Sequence, residues 1–319
     1  MDAPRTRTAP FLLGLVAILA ALPLGYFLFL REPPPPPAPP PPPVEAKRPV
    51  EKPAERAPLA LKLEKIEGTV EVRRGGTWRA AVEQESLQAS DTVRTRDGSY
   101  AILLGGKALE VRMEEGTEVS VEALTDTLSR LVLGAGMTQV RLRPGSSQKV
   151  EVAASGSDAE VSTEEGLFTL SNNGSGTVAL ATQEGETRFS GQRQVVIVRA
   201  GQQSIVLPGR GPSAPTPIPS SLLLKVNWPA RPRRQVVVSG ETEPGTHVAV
   251  GGQRVSADAQ GRFSLQLSLQ EGANPIRVRA RSVGGRLQEE QRALSVDTTP
   301  PRPVTVDPGL WNDPPPTKH

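Results

Sequence analysis

The chain has 319 residues, room for about two domains of ordinary size. Its 37 basic and 34 acidic side chains leave a formal charge of +3, dispersed rather than massed, a balance that does not point to nucleic acid. With no cysteine, disulfides, thiolate metal sites and cysteine nucleophiles are excluded together; two histidines (His247 and His319) and 3% aromatics leave little from which to build a metal centre, a histidine base or a stacking platform.

In chain order, residues 1–10 are a short tail carrying Arg5 and Arg7. Phe11 to Leu30, FLLGLVAILAALPLGYFLFL, is a run of 20 uncharged residues. As a helix it reaches roughly 30 Å, the thickness of a bilayer's hydrocarbon core. The basic pair before it places the N-terminus in the cytoplasm and everything after Leu30 outside. The run is longer than a signal-peptide core and ends in the bulky Tyr26-Phe27-Leu28-Phe29-Leu30, so it reads as a retained single-pass transmembrane helix.

Residues 31–58 are a Pro-rich linker. Pro33 to Pro43 holds ten prolines around Ala38, a polyproline II rod of roughly 34 Å. It would lift the folded part of the chain off the inner membrane.

From residue 59 to 207 the pattern is short alternating runs separated by turn residues. Thr69 to Arg73, Glu118 to Val121, Gln139 to Arg143, Lys149 to Val152 and Glu160 to Ser162 each alternate apolar with polar. Gly75-Gly76, Asp97-Gly98, Gly105-Gly106, Asn172-Asn173-Gly174 and Glu184-Gly185 are expected reversals. The segment Glu122 to Leu133 has the weakest strand pattern. The whole predicts an all-β sandwich or jelly-roll-like stack.

Within it, Gly68-Thr69-Val70-Glu71-Val72, then Trp78, then Asp91-Thr92-Val93-Arg94-Thr95, then Gly98-Ser99-Tyr100-Ala101-Ile102-Leu103 resembles the FecR domain, as does the ending Ala200-Gly201-Gln202. Ser90 stands where that pattern has a glycine. Gly68, Trp78, Asp91, Thr95 and Gly98 are read as a folding signature: Asp91 can take backbone amides at a turn, and Gly98 can reverse the chain. The resemblance implies a periplasmic, regulatory, non-catalytic domain. FecR proteins relay a signal to a sigma factor, but ten residues before the span are too few to fold a sigma-binding domain.

A second Pro-rich linker, 208–221, precedes a segment at 222–297 with seven expected strands, the arithmetic of an immunoglobulin-like sandwich. Val238-Ser239-Gly240 through Pro244-Gly245-Thr246-His247-Val248, then Asp258-Ala259-Gln260-Gly261-Arg262-Phe263, resembles bacterial Ig-like modules. Residues 298–319 form a Pro-rich tail bearing Trp311. Trp311 and the basic cluster Arg231, Arg233 and Arg234 are the candidate partner-binding residues.

No nucleophile elbow, phosphate loop or zinc-type histidine pair occurs. The adjacent carboxylates Glu114-Glu115 and Glu164-Glu165, read as strand neighbours, point to opposite faces, so neither pair converges on one substrate. The expectation is an inner-membrane-anchored periplasmic protein with no cofactor, no metal site and no catalytic residue. It would act in envelope sensing or scaffolding through envelope proteins or peptidoglycan. The alternatives are a TonB-like energy transducer, which would carry a histidine in its span, and an envelope enzyme.

Overall fold

The computed structural model describes residues 9–26, 28 and 60–298. The chain divides into two compact units, residues 1–56 and 57–319. The linker 31–58 and Trp311 with residues 299–319 lie outside the described residues.

In the first unit, helix α1 (Ala9–Gly25) has no acidic first turn and no basic last turn. It leaves Leu15, Val16, Ile18, Leu19 and Leu24 largely exposed. Its 17 residues span about 25 Å. Among the described residues no helix is long and apolar enough to cross a membrane. Over the expected span the described α-helix runs from Phe11 to Gly25, and Tyr26 and Leu28 continue it with π-helical backbone. Pro23 removes an amide that would bond one turn back and so weakens the ladder near this end.

In the second unit the alternating runs form strands. The first seventeen are β1 (Leu61–Glu67), β2 (Val70–Arg74), β3 (Thr77–Ala80), β4 (Ser86–Leu87), β5 (Thr92–Thr95), β6 (Tyr100–Gly105), β7 (Leu109–Met113), β8 (Glu118–Leu124), β9 (Leu128–Leu133), β10 (Gly136–Leu142), β11 (Lys149–Ala154), β12 (Glu160–Thr163), β13 (Gly166–Asn172), β14 (Val178–Gly191), β15 (Gln194–Arg199), β16 (Gln202–Val206) and β17 (Thr216–Pro217). Pairing resolves them into two sheets. One runs β4-β1-β6-β7-β10-β13-β14-β16-β17, antiparallel throughout. The other runs β3-β2-β5-β8-β9-β11-β12-β14-β15, with one parallel pair, β9 with β11, joined through β10 of the opposite sheet. The weak segment Glu122 to Leu133 falls in the β8–β9 hairpin.

Strand β14 belongs to both sheets: residues 178–182 pair with β16, and 186–191 with β15. Glu184-Gly185, expected to reverse the chain, instead bends this one strand of 14 residues from one sheet into the other. A glycine permits a sharp bend as readily as a hairpin, and the unbroken antiparallel ladder of Val178 to Ala181 with Asn172 to Thr169 of β13 holds the strand on course.

One core lies between the sheets. Leu63, Leu103, Val140 and Phe168 from the first sheet pack with Val72, Val93, Val121, Val152 and Phe189 from the second. Each such side chain contributes about 1.5–3 kcal/mol of burial. The outer face of the second sheet is charged and paired; Arg130, for example, meets Glu151 at 3.3 Å.

The remaining seven strands, β18 (Leu224–Asn227), β19 (Gln235–Thr242), β20 (His247–Val250), β21 (Gln253–Ser256), β22 (Arg262–Ser268), β23 (Gly272–Arg281) and β24 (Leu287–Val296), coincide with the seven expected segments. They form a β18-β19-β22 sheet and a β21-β20-β23-β24 sheet over a second core that includes Val238, Val248, Phe263 and Val278. Between the two sandwiches, the Pro-rich segment 208–221 lies along the first. β17 pairs with β16, Ser204 Oγ donates to the Ser213 carbonyl at 2.8 Å, and the Ile218 amide donates to the Gly201 carbonyl at 2.9 Å.

Candidate functional site

The two sandwiches meet along a seam, and the seam is built by turns of the first. Thr95, at the end of β5, is buried. Its hydroxyl donates to the Glu114 carbonyl at 2.6 Å and accepts the Thr117 amide at 2.9 Å, which fixes the β7–β8 turn. Thr117 in turn bonds both backbone groups of Met137, at 3.0 Å each. The Gly98 amide donates to Glu115 Oε2 at 2.9 Å.

Because Glu114 and Glu115 sit in this turn rather than on a strand, the expected alternation of faces does not apply. Both carboxylates line one cavity of about 230 Å³ together with His247, Arg254, Arg279 and Arg281 from the second sandwich. Sequence reasoning treated the pair as non-convergent; the turn corrects that, since only an extended backbone sends neighbours to opposite sides. Glu164-Glu165 likewise fall in a turn, between β12 and β13.

Charge pairs cross the seam. Arg254 Nη2 lies 2.7 Å from Glu115 Oε2, and Arg281 Nη1 lies 3.1 Å from Glu114 Oε1. Arg112 of the first sandwich shares that Glu114 oxygen at 3.2 Å. The Arg254 side chain is only 10% exposed. Burial pulls its guanidinium below the ordinary value while Glu115 pulls the other way; an arginine stays cationic through such shifts.

His247 is pushed down to about 4, first by burial and then by the Arg254 charge, so the ring is neutral near pH 7. The residue as a whole is half-buried, but Nε2 itself is sealed from solvent and has no hydrogen-bond partner among the described residues. The sealed nitrogen, rather than the residue's partial exposure, governs its titration.

Apolar and backbone contacts complete the seam. Met137, Ala179, Ala181 and Val283 cluster, with Ile205 and Ile218 against them. Ser171 Oγ donates to the Gly245 carbonyl at 2.7 Å, and Gln183 Nε2 donates to the Val283 carbonyl at 3.3 Å.

The residues singled out by sequence are spread over both sandwiches. Thr95 and Gly98 support the seam. Asp91, 3% exposed, accepts the Gln88 amide at 2.9 Å, as its turn position predicts, and is also forked by Arg74, Nε to Oδ1 at 2.9 Å and Nη2 to Oδ2 at 2.5 Å. That fork, more than the amide, holds the Asp91 carboxyl below its ordinary value. Gly68 has φ +79, and a Cβ there would lie 2.3 Å from Ser99 Oγ, the atom that accepts the Thr69 amide at 2.8 Å. Trp78 lies on the outer face of the second sheet under the Arg94 guanidinium, 3.7 Å from the ring centroid. Arg231, Arg233 and Arg234 are exposed on the β18–β19 connection, and Arg234 lies 3.9 Å from Glu271.

Arg254, His247 and Arg281 escaped sequence reasoning. One signal was available: Arg277, Arg279 and Arg281 alternate with Val278 and Ala280 on β23, placing three guanidiniums on one face. Among the described residues no group of His, Asp and Glu is placed to hold a metal ion.

No family model matches this sequence, and no curated protein matches it. Among solved structures, two crystal structures of a candidate anti-sigma factor from Parabacteroides distasonis are similar to it at 13% identity and a TM-score of 0.35. The match covers 40% of this chain and 59% of that one, so the chain spans less than two thirds of the relative's length. A likeness of that size says nothing about function.

Proposed function

We propose that this is a non-catalytic protein of the bacterial envelope, held in the inner membrane by its N-terminal apolar segment. In this reading a FecR-type sandwich and an Ig-like module face the periplasm and sense or scaffold through envelope proteins or cell wall. The observation that carries the reading is the seam. Thr95 and Gly98, two residues of the FecR-like pattern, support the turn from which Glu114 and Glu115 meet the second module. The motif thus serves the joint between modules, and a joint closed by charge pairs around a small apolar patch can shift when either side is engaged.

The anchor draws support from α1, whose described apolar side chains Leu15, Val16, Ile18, Leu19 and Leu24 are exposed on all sides of the helix, a pattern that calls for a non-aqueous environment. Residues to Leu30, beyond the described helix, would complete the span.

The test uses the full chain with a C-terminal epitope. The expected result is a membrane fraction whose epitope is lost when protease is added outside spheroplasts. The chain should also pellet with purified sacculi or crosslink in cells to an envelope protein. A freely soluble chain, or an epitope protected in intact spheroplasts, would overturn the reading.

A further inference from the structure

His247 stands where the two sandwiches meet. It opens β20 of the second and lines the seam cavity opposite Tyr100, Glu114, Glu115 and Met137 of the first. Its Nε2 is sealed from solvent and has no partner among the described residues. A neutral ring bears that at modest cost, but a protonated ring would bury a charged donor with nothing to accept it.

The carboxylates that face the ring are already engaged. Glu115 Oε2 accepts the Gly98 amide at 2.9 Å and meets Arg254 at 2.7 Å. Glu114 Oε1 is shared by Arg281 at 3.1 Å and Arg112 at 3.2 Å. Arg279, also in the lining, is reached by Glu289 at 3.5 Å, and Asp97 acts on Arg254 through space. These charges nearly balance. What opposes a proton on His247 is first the exclusion of water, then the Arg254 charge and last that of Arg281, while the Gly136 backbone pulls weakly the other way.

We propose that the seam is an acid-opened joint: as pH falls, protonation of His247 separates the two sandwiches while each stays folded. The ring belongs to one sandwich and much of the wall that keeps water from it to the other, so separation rehydrates it without disturbing either core. The joint is also the weaker part. Its apolar cluster is small, Met137, Ala179, Ala181 and Val283 with Ile205 and Ile218 against them, and Arg254 Nε and Nη1 are sealed there without an acceptor even at neutral pH. The inference rests on the envelope reading, in which the joint faces the periplasm, and names the regulation for it.

Linkage fixes the sign and the size. With the docked ring at about 4 and a freed ring at the ordinary 6.5, docking is complete above 6.5 and is lost as pH falls toward 4. From pH 7.5 to 5 the ratio of open to docked chains should rise about thirtyfold through His247. Glu243 lines a second seam cavity, of about 170 Å³, and burial raises its carboxyl, so its protonation favours docking and works against His247.

The experiment is amide exchange of the full-length chain in detergent at pH 7.5 and 5, corrected for the intrinsic pH dependence of exchange. Protection of 135–139, 243–249 and 281–285 should fall at least about fivefold, while strands around Leu103, Phe168 and Val238 keep theirs. His247→Gln should abolish this step, and Glu243→Gln should leave it equal or larger. A seam that keeps its protection, protection lost from both cores alike, a step that survives in folded His247→Gln, or one that vanishes in Glu243→Gln overturns the proposal. If His247→Gln does not fold, the ring itself decides. The chain has two histidines, so His319→Gln assigns the imidazole resonances, and a His247 midpoint at or above 6.5 overturns it as well. The outcome separates from the envelope reading: acid opening in a chain found freely soluble keeps the joint and removes the sensing role, and a membrane-held chain whose seam ignores pH does the reverse.

Discussion

Arg254 reaches from the second sandwich to within 2.7 Å of Glu115 on the first, and the same carboxylate oxygen accepts the Gly98 amide at 2.9 Å. One oxygen thus couples a turn of the first module to the position of the second.

That coupling can be measured as an interaction energy. A double-mutant cycle with Arg254→Met and Glu115→Gln, followed by denaturant unfolding of the full chain, should give a coupling of about 1–3 kcal/mol. The double mutant should be less damaged than the two single effects added. Additive losses would mean that the pair does not act as a unit.

His247 gives the seam a pH dependence. Its value in the folded chain, about 4, lies below the ordinary 6.5, so the unfolded chain takes up a proton that the folded chain refuses. Stability is complete above pH 6.5 and declines as pH falls toward 4, by roughly 3 kcal/mol at most. His247→Gln should flatten this part of the stability profile relative to the parent. An unchanged profile between those limits would show that the ring titrates normally.

Asn172 is fully buried and its amide nitrogen bridges three carbonyls, Leu133 at 3.1 Å, Gly134 at 2.5 Å and Ser155 at 2.8 Å, while its oxygen accepts the Gly174 amide at 3.0 Å. Asn172→Ala removes all four bonds, leaving the Leu133 carbonyl only the Ser155 amide at 2.8 Å, and should cost about 3 kcal/mol. Thermal unfolding and faster amide exchange in the 172–174 turn provide the check. A loss below about 1 kcal/mol would mean that water replaces the amide freely.

Asp91→Asn keeps the shape of the fork with Arg74 but removes the charge. Asp91 itself is 3% exposed, but the Arg74 side chain is 45% exposed, so solvent screens the pair and the cost should be about 2 kcal/mol. Arg74 holds the folded value below the ordinary 3.8. The stabilisation is therefore present above pH 3.8 and is lost as pH falls through the lower folded value. Acid unfolding of Asp91→Asn should lack that final loss, and an acid transition identical to the parent's would contradict it.

Gly245 has φ +73, and a Cβ there would lie 2.9 Å from the Ala179 Cβ across the seam. Gly245→Ala should loosen the docking without unfolding either sandwich, at a cost of about 1–2 kcal/mol. Faster amide exchange confined to the seam is the expected signature; exchange rising through both cores would show that the modules do not separate first.

The sequence by itself determined the secondary structure of the second unit to a large degree. Strand alternation is local, and each of the seven segments from Leu224 to Val296 could be read from its own residues, as could the turn that Asp91 closes. Pairing between sheets was not legible, because it depends on residues far apart in the chain. Glu184-Gly185 has the composition of a reversal, and only the neighbours of β14 on both sides decide that it is a bend. The seam lay beyond the sequence for the same reason. Arg254 and Glu115 are 139 positions apart, and neither residue type is unusual where it stands. What gives them meaning is the exclusion of water around a guanidinium and the turn geometry that sends two adjacent carboxylates the same way, and both arise only when the two sandwiches are brought together.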